Sequence, residues 1–318
     1  MMGKTAFLFS GQGAQYVGMG KELYENYDEA KAVFDTANEV LDIDVKELCF
    51  EGSKEELDIT RNTQPAVLTT SIAALKVLEA NDIKPDVVAG LSLGEYGALV
   101  CSGVLEFADA VRLVRKRGQY MEEALPSGVG SMAAIIGLDK QKIEGICKSL
   151  ESEGFVAPAN YNCPGQIVIA GESAIVSKAC EAMKLAGAKM AIKLAVSSAF
   201  HTKMLEGAAT KLNQELKNVV IDDMRIPVIT NVTADYINDA NDIRDILTKQ
   251  VTSPVLWEDT ITKMINDGVD TFIEIGPGKT LSGFVKKIDK TKTILNVEDA
   301  ESLEKTILSL RGTKQSLF

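Results

Sequence analysis

The sequence predicts an α/β protein in two unequal parts: a larger one around a parallel sheet, and a smaller α+β module inserted into it. Short apolar segments at 5–9, 86–90 and 271–275 alternate with helical patterns, as parallel strands and their crossover helices do. The second of these segments runs into Gly90-Leu91-Ser92-Leu93-Gly94, which has the form G-x-S-x-G. That pattern holds a serine on a sharp turn between a strand and a helix. Between residues 128 and 197 the rhythm changes to compact β-α-β-β-α-β, the order of a ferredoxin-like module. The expected division is 1–127 and 198–318 for the larger, discontinuous part and 128–197 for the insert.

In chain order, a first strand at 5–9 enters the glycine turn Ser10-Gly11-Gln12-Gly13, and a helical pattern follows from 21 to 41. A helix is expected to start near Gln64-Pro65, where proline suits the first turn, and to run to about Ala80. The strand at 86–90 delivers Ser92, and a helix covers about 106–125. The insert is read as strand 131–138, helix 139–154, strand 155–162, a Cys163-Pro164-Gly165 turn, strand 166–171, helix 173–187 and strand 189–196. Strand–helix units then resume with a strand at 226–230, a helix at about 254–268, the strand at 271–275 and a last helix near 301–310.

The chain has 318 residues, enough for a substantial core, and at 46% hydrophobic and 25% charged it has the composition of a soluble globular protein. A formal charge of −11 argues against a nucleic-acid binder, which needs clustered Lys and Arg to neutralise phosphates. The first apolar run, Ala6 to Phe9, falls short of the roughly 7–15 residues of an export signal, and nothing approaches the roughly 18 of a membrane span. The five cysteines are scattered without a C-x-x-C pair, so reduced core thiols in a cytoplasmic protein are expected. With a single histidine as well, a His/Cys metal site is not expected.

A serine hydroxyl is a weak nucleophile at neutral pH, so Ser92 needs a base. A lone histidine is more often structural than catalytic, but His201 is the only imidazole a Ser-His mechanism could use here. It also follows the last strand of the insert, at a junction where clefts form. An oxyanion needs two backbone N–H groups, one from the residue after the serine, here Leu93, and one from a neighbouring loop, for which Gln12 in the glycine turn is a candidate. Two rival motifs fail: a dinucleotide turn would need glycine at Tyr16, and a phosphate loop ending in Gly278-Lys279-Thr280 would need glycine at Ile273. The Gly276–Thr280 segment reads instead as a structural turn.

On the helix at 106–125, Ala110, Leu113, Tyr120 and Ala124 recur at the spacing of one buried stripe, while Arg112, Lys116, Gln119 and Glu123 form a polar face. Arg117 interrupts the stripe. A guanidinium there needs an anionic partner, either a protein carboxylate or a bound one, and its fork suits two hydrogen bonds to a carboxylate.

Together these residues resemble the malonyl-CoA:acyl carrier protein transacylases of fatty acid synthesis and the acyltransferase domains of polyketide synthases. The resemblance covers nearly the whole chain. It rests on Phe9-Ser10-Gly11-Gln12-Gly13-Ala14-Gln15, the Ser92 turn, Arg117-Gly118, Ala199-Phe200-His201, Gln250 followed by Ser253-Pro254, and Glu274-Ile275-Gly276-Pro277-Gly278. It implies a hydrolase-like α/β domain carrying a ferredoxin-like subdomain. Ser92 would be the acylated nucleophile, His201 its base, and Gln250 would orient His201 through its backbone carbonyl in place of a triad acid. Arg117 would grip the malonyl carboxylate, and the Gln12 and Leu93 amides would form the oxyanion hole.

Two positions bear on detail. The family usually has histidine before the serine, where this chain has Leu91. Phe200 is similar to malonyl-selecting members, whereas methylmalonyl-selecting ones carry a smaller residue; one methyl is worth only about 1–3 kcal/mol in a pocket. The resemblance implies a monomer that uses malonyl-CoA and a holo acyl carrier protein, with no metal or redox cofactor and no nucleic-acid or membrane partner. Family carrier proteins are acidic, so a chain at −11 would need a local basic patch to dock one. Two other readings remain open at this point. One is a thioesterase or esterase that passes the acyl group to water; the other is a non-catalytic module that docks carrier proteins.

Overall fold

A computed structural model describes residues 3–126, 128–196 and 198–315. Ser127 and Ser197, which abut the expected domain boundaries, lie outside the described residues. The described residues form two separate sheets. The first is parallel and contains β1 (Lys4–Phe9), β2 (Val87–Gly90), β7 (Val269–Ile275) and β8 (Thr293–Val297) in the order β2-β1-β7-β8. The second is antiparallel and contains β3 (Gly130–Ile136), β4 (Val156–Cys163), β5 (Gln166–Glu172) and β6 (Met190–Lys193) in the order β4-β5-β3-β6. With the helices Lys140–Ser149 and Ser173–Leu185 between its strands, the second sheet has the ferredoxin-like order.

β1 shows why its segment reads as an unbroken apolar run. Phe7 and Phe9 point into the main core, while Ala6 and Leu8 point into a second core on the opposite face. A parallel sheet covered on both faces leaves no polar side to alternate with. In the second sheet Ala133 and Ile135 of β3 pack on the two helices, whereas Met132 and Ala134 face a cleft shared with the larger part. One sheet therefore has a covered face and a face available for a site.

Several element boundaries differ from the sequence reading for identifiable reasons. The 21–41 pattern is two helices, Lys21–Asn26 and Asp28–Val40, separated by extended Tyr27. The helix expected to begin at Gln64-Pro65 begins earlier and spans Thr60–Ala80, with Pro65 inside it. Pro65 cannot donate to the Arg61 carbonyl one turn back, and that carbonyl instead accepts from Arg115 Nη1 at 3.0 Å. The strand expected at 226–230 is reduced to isolated bridges: Val228 pairs with Val88 and Ile229 with Tyr236. Pro227 supplies only a carbonyl, to Val88 N at 2.9 Å, which suits a sheet edge. β6 is shorter than 189–196: it ends at Lys193, after which Leu194 N makes one more bond to the Met132 carbonyl at 2.9 Å, and Leu194 and Val196 line the cleft. None of the described helices is long and apolar enough to cross a membrane.

Candidate active site

Ser92 sits at φ 54°, in the left-handed region that non-glycine residues adopt only when their surroundings impose it. β2 ends at Gly90 and the helix Gly94–Cys101 begins immediately after the turn. A Cβ at Gly90 would lie 1.9 Å from the Gly94 carbonyl oxygen, and one at Gly94 would lie 2.1 Å from the Phe9 carbonyl oxygen. Both glycines of G-x-S-x-G are thus required by the close passage of backbone that makes the turn sharp. Asn231 holds the turn from outside: its Oδ1 accepts from Ser92 N at 2.6 Å and its Nδ2 donates to the Gly90 carbonyl at 2.7 Å.

His201 is buried, and its two ring nitrogens have fixed partners. Nδ1 lies 2.9 Å from the Gln250 carbonyl oxygen, which can only accept, so the Nδ1–H donates there. Nε2 of the neutral ring is then bare and accepts from the Ser92 hydroxyl at 2.7 Å. Burial, and next the Arg117 charge, push the imidazole pKa down to about 4. The ring is therefore neutral and able to take a proton at physiological pH. Gln250 ends the helix Ile243–Gln250, where carbonyls lack intrahelical partners, so its carbonyl is free to receive His201.

Arg117 is 2% exposed on the helix Phe107–Ala124. Its hydrogen bonds go to uncharged oxygens: Nη1 to Gln64 Oε1 at 2.8 Å, and Nη2 to Gln250 Oε1 at 3.0 Å and Ser92 Oγ at 3.2 Å. Among the described residues its Nε has no hydrogen-bond partner, and its guanidinium lies 5.5 Å from the Tyr96 ring centroid. The fold thus presents a buried cation beside the nucleophile with donors to spare, an arrangement suited to a ligand carboxylate.

These groups open into a cleft of about 510 Å³ between the glycine turn after β1 and the free face of the second sheet. Gln12, Leu91, Phe200 and His201 line it together with Met132 and Val168. The backbone amides of Gln12 and Leu93 donate to no backbone carbonyl among the described residues, so both are available to an incoming oxyanion. Leu91 packs its side chain against the second core of the parallel sheet. The Gly276–Thr280 segment forms a turn ahead of the helix Thr280–Ile288. The buried Glu274 carboxylate accepts from Leu281 N at 3.0 Å and Ser282 N at 2.7 Å at the start of that helix. That is a capping role, as the failed phosphate-loop spacing suggested.

The structure thus brings together Ser92, His201, Arg117 and the Gln250 carbonyl, with Gln12 and Phe200 lining the same cleft and Leu93 buried next to Ser92 in the turn. A match to the model of the acyl transferase domain family spans residues 6–313. The chain belongs to the acyl transferase family. It is 50% identical over 311 residues to the malonyl CoA-acyl carrier protein transacylase of Bacillus subtilis (strain 168), covering 98% of each chain. Among solved structures it is similar to the malonyl CoA-acyl carrier protein transacylase from Clostridium perfringens, with a TM-score of 0.96, 49% identity and 99% of each chain covered. It is also similar to a malonyl-transacylase solved in complex with its holo type II PKS acyl-carrier protein, with a TM-score of 0.94 and 40% identity. That match covers 96% of this chain and 99% of the other.

Three residues at the site were not singled out from sequence. Asn231 and Gln64 carry no motif. Glu95 is wholly buried, although it stands in the same short stretch as Ser92. A carboxylate among Tyr96, Ala98 and Leu99 in an otherwise apolar helix was the available signal.

Proposed function

We propose that this acyltransferase moves the malonyl group from malonyl-CoA to the phosphopantetheine thiol of an acyl carrier protein through a malonyl ester on Ser92. The observation that carries the reading is Arg117, a buried cation 3.2 Å from the Ser92 hydroxyl whose partners are all uncharged. An acyl group ending in a carboxylate would pair with it, and malonyl is such a group. The named relatives are transacylases, which favours a thiol over water as acceptor.

In the first half-reaction the Ser92 oxygen attacks the thioester carbonyl while its proton passes to His201 Nε2. The tetrahedral oxyanion is held by the Gln12 and Leu93 amides, each worth about 2.7–4 kcal/mol in such a role. Collapse breaks the C–S bond, and the imidazolium returns its proton to the departing thiolate, releasing CoA. In the second half the carrier thiol gives its proton to His201 and its sulfur attacks the ester. Collapse then breaks the C–O bond, and the same proton returns to Ser92. Each half exchanges one acyl bond for another, with no net redox change and no metal in any step.

Intact-mass spectrometry after mixing with malonyl-CoA tests the proposal. One malonyl mass should be gained, it should map to Ser92, be absent in Ser92→Ala, and be lost on adding holo carrier protein. Labelling elsewhere, or loss of the label at the same rate without the carrier, would refute it.

A further inference from the structure

Two buried groups of opposite charge type occur at the site, and they do not touch. Arg117 lies beside the nucleophile; Glu95 lies under the turn, its Oε2 accepting from Asn231 N at 2.8 Å and from Gln250 Nε2 at 3.1 Å. Its Oε1 has no hydrogen-bond partner among the described residues. The side-chain amide of Gln250 spans the gap. Its Nε2 donates to Glu95 Oε2 and to the Ser92 carbonyl at 3.0 Å, and its Oε1 accepts from Arg117 Nη2 at 3.0 Å.

The two ends of a glutamine amide are alike in shape and opposite in hydrogen bonding. The Ser92 carbonyl can only accept, and Glu95 Oε2 already accepts from Asn231 N, so both demand the NH2 end, and the oxygen is left facing Arg117. Turned over, the amide would set N–H groups against the guanidinium and leave its oxygen against the carboxylate. The Ser92 carbonyl alone would specify the orientation through one bond; Glu95 Oε2 adds the second. Gln250 therefore has two separate duties, with its backbone carbonyl on His201 and its side chain on Arg117.

Building on the malonyl-transfer reading, we propose that Glu95 is a positioning residue for acyl-group recognition: it fixes the Gln250 amide with its oxygen toward Arg117, which holds the guanidinium beside the Ser92 hydroxyl. Glu95 touches neither acyl group nor thiol and acts only through Gln250. Its effect should therefore fall on selection of a carboxylate-bearing acyl group more than on acyl transfer itself.

The test is the ratio of kcat/KM for malonyl-CoA to that for acetyl-CoA in Glu95→Met, Gln250→Met, their double variant and Glu95→Gln. Methionine keeps the side-chain length and removes the hydrogen bonds, and Gln250→Met leaves the backbone carbonyl on His201. Each Met variant should lower the ratio by about tenfold or more, and the double should be no lower than the worse single, because both break one link. Glu95→Gln should stay within about threefold of wild type, since its amide oxygen can accept both bonds. An unchanged ratio in the Met variants, or losses that multiply in the double, would overturn the assignment. Should Glu95→Met fail to fold, Gln250→Met still reads the link, and an unchanged ratio there is decisive against it. A wild-type protein that forms no malonyl-Ser92 would instead refute the proposed function, which keeps the two failures apart.

Discussion

Replacing Arg117 by alanine is the sharpest single perturbation of this site. The guanidinium is 2% exposed, so water does not stand ready to take its place. Of its five N–H donors, three are occupied, by Gln64, Gln250 and Ser92. A malonyl carboxylate would receive two hydrogen bonds from the fork. At about 1.5–3 kcal/mol for each bond to a charged group, their loss amounts to about 3–6 kcal/mol. That corresponds to a fall of about 10²- to 10⁴-fold in kcat/KM for malonyl-CoA. Acetyl-CoA has no carboxylate and should lose only what the missing bond to Ser92 Oγ and the resettling of Gln64 and Gln250 around the vacated space cost, within about tenfold. Single-turnover acylation followed by intact mass, with both thioesters on the same preparation, gives the two numbers side by side. Arg117→Lys should recover part of the malonyl rate, since it keeps a charge and loses the fork. Equal losses for both thioesters would refute the reasoning and make Arg117 a structural cation held by two glutamines.

Acylation should depend on pH through His201. Its pKa is lowered to about 4, and the base must be neutral, so the rate should fall with acid only through about pH 4 and be level near pH 6–7; an acid limb centred at 6.5 would contradict the buried, neutral ring. Asn231→Ala should slow acylation by malonyl-CoA and acetyl-CoA alike, because it frees Ser92 N and the Gly90 carbonyl together; with each unpaired group costing about 1–3 kcal/mol, urea denaturation should also show a clear loss of stability. Ser92→Gly should be more stable than Ser92→Ala by about 1–2 kcal/mol, because only glycine adopts φ 54° without strain; equal denaturation midpoints would mean that the turn is not strained.

The strands that the sequence reveals are those whose surroundings leave one readable pattern. β1 is apolar throughout because cores cover both of its faces, and the insert shows its strand and helix periods because each element has one covered face. β8 went unread because it is mostly half-buried at a sheet edge and has no continuous apolar run. Pro65 marked a helix start by its usual habit. Only the tertiary contact from Arg115 to the Arg61 carbonyl explains how a helix runs through it.

The candidate site divides in the same way. Ser92 is legible from local spacing, His201 by elimination, and Arg117 because it interrupts an apolar stripe. Gln250 meets His201 through a backbone carbonyl that any residue possesses, so its identity carries no trace of that contact. Glu95 and Asn231 meet only across 136 residues of sequence, and the bond between them uses a backbone N–H.

The identity of the Gln250 carbonyl also bears on the acceptor, which Ser92 and His201 alone leave open. A carboxylate in that place would stabilise the imidazolium by a full charge, whereas a neutral carbonyl raises the pKa too little to offset burial and the Arg117 charge, which leave it at about 4. So weak a base gives little help to water, a far weaker acid than a thiol. Ser92 is equally reluctant to lose its proton but is held 2.7 Å from Nε2, and that placement offsets its reluctance. A thiol of pKa about 8.5 needs far less assistance. On the proposed function, a base of this strength, fixed 2.7 Å from the Ser92 hydroxyl, favours acylation of the serine and transfer to an entering thiol over hydrolysis of the ester.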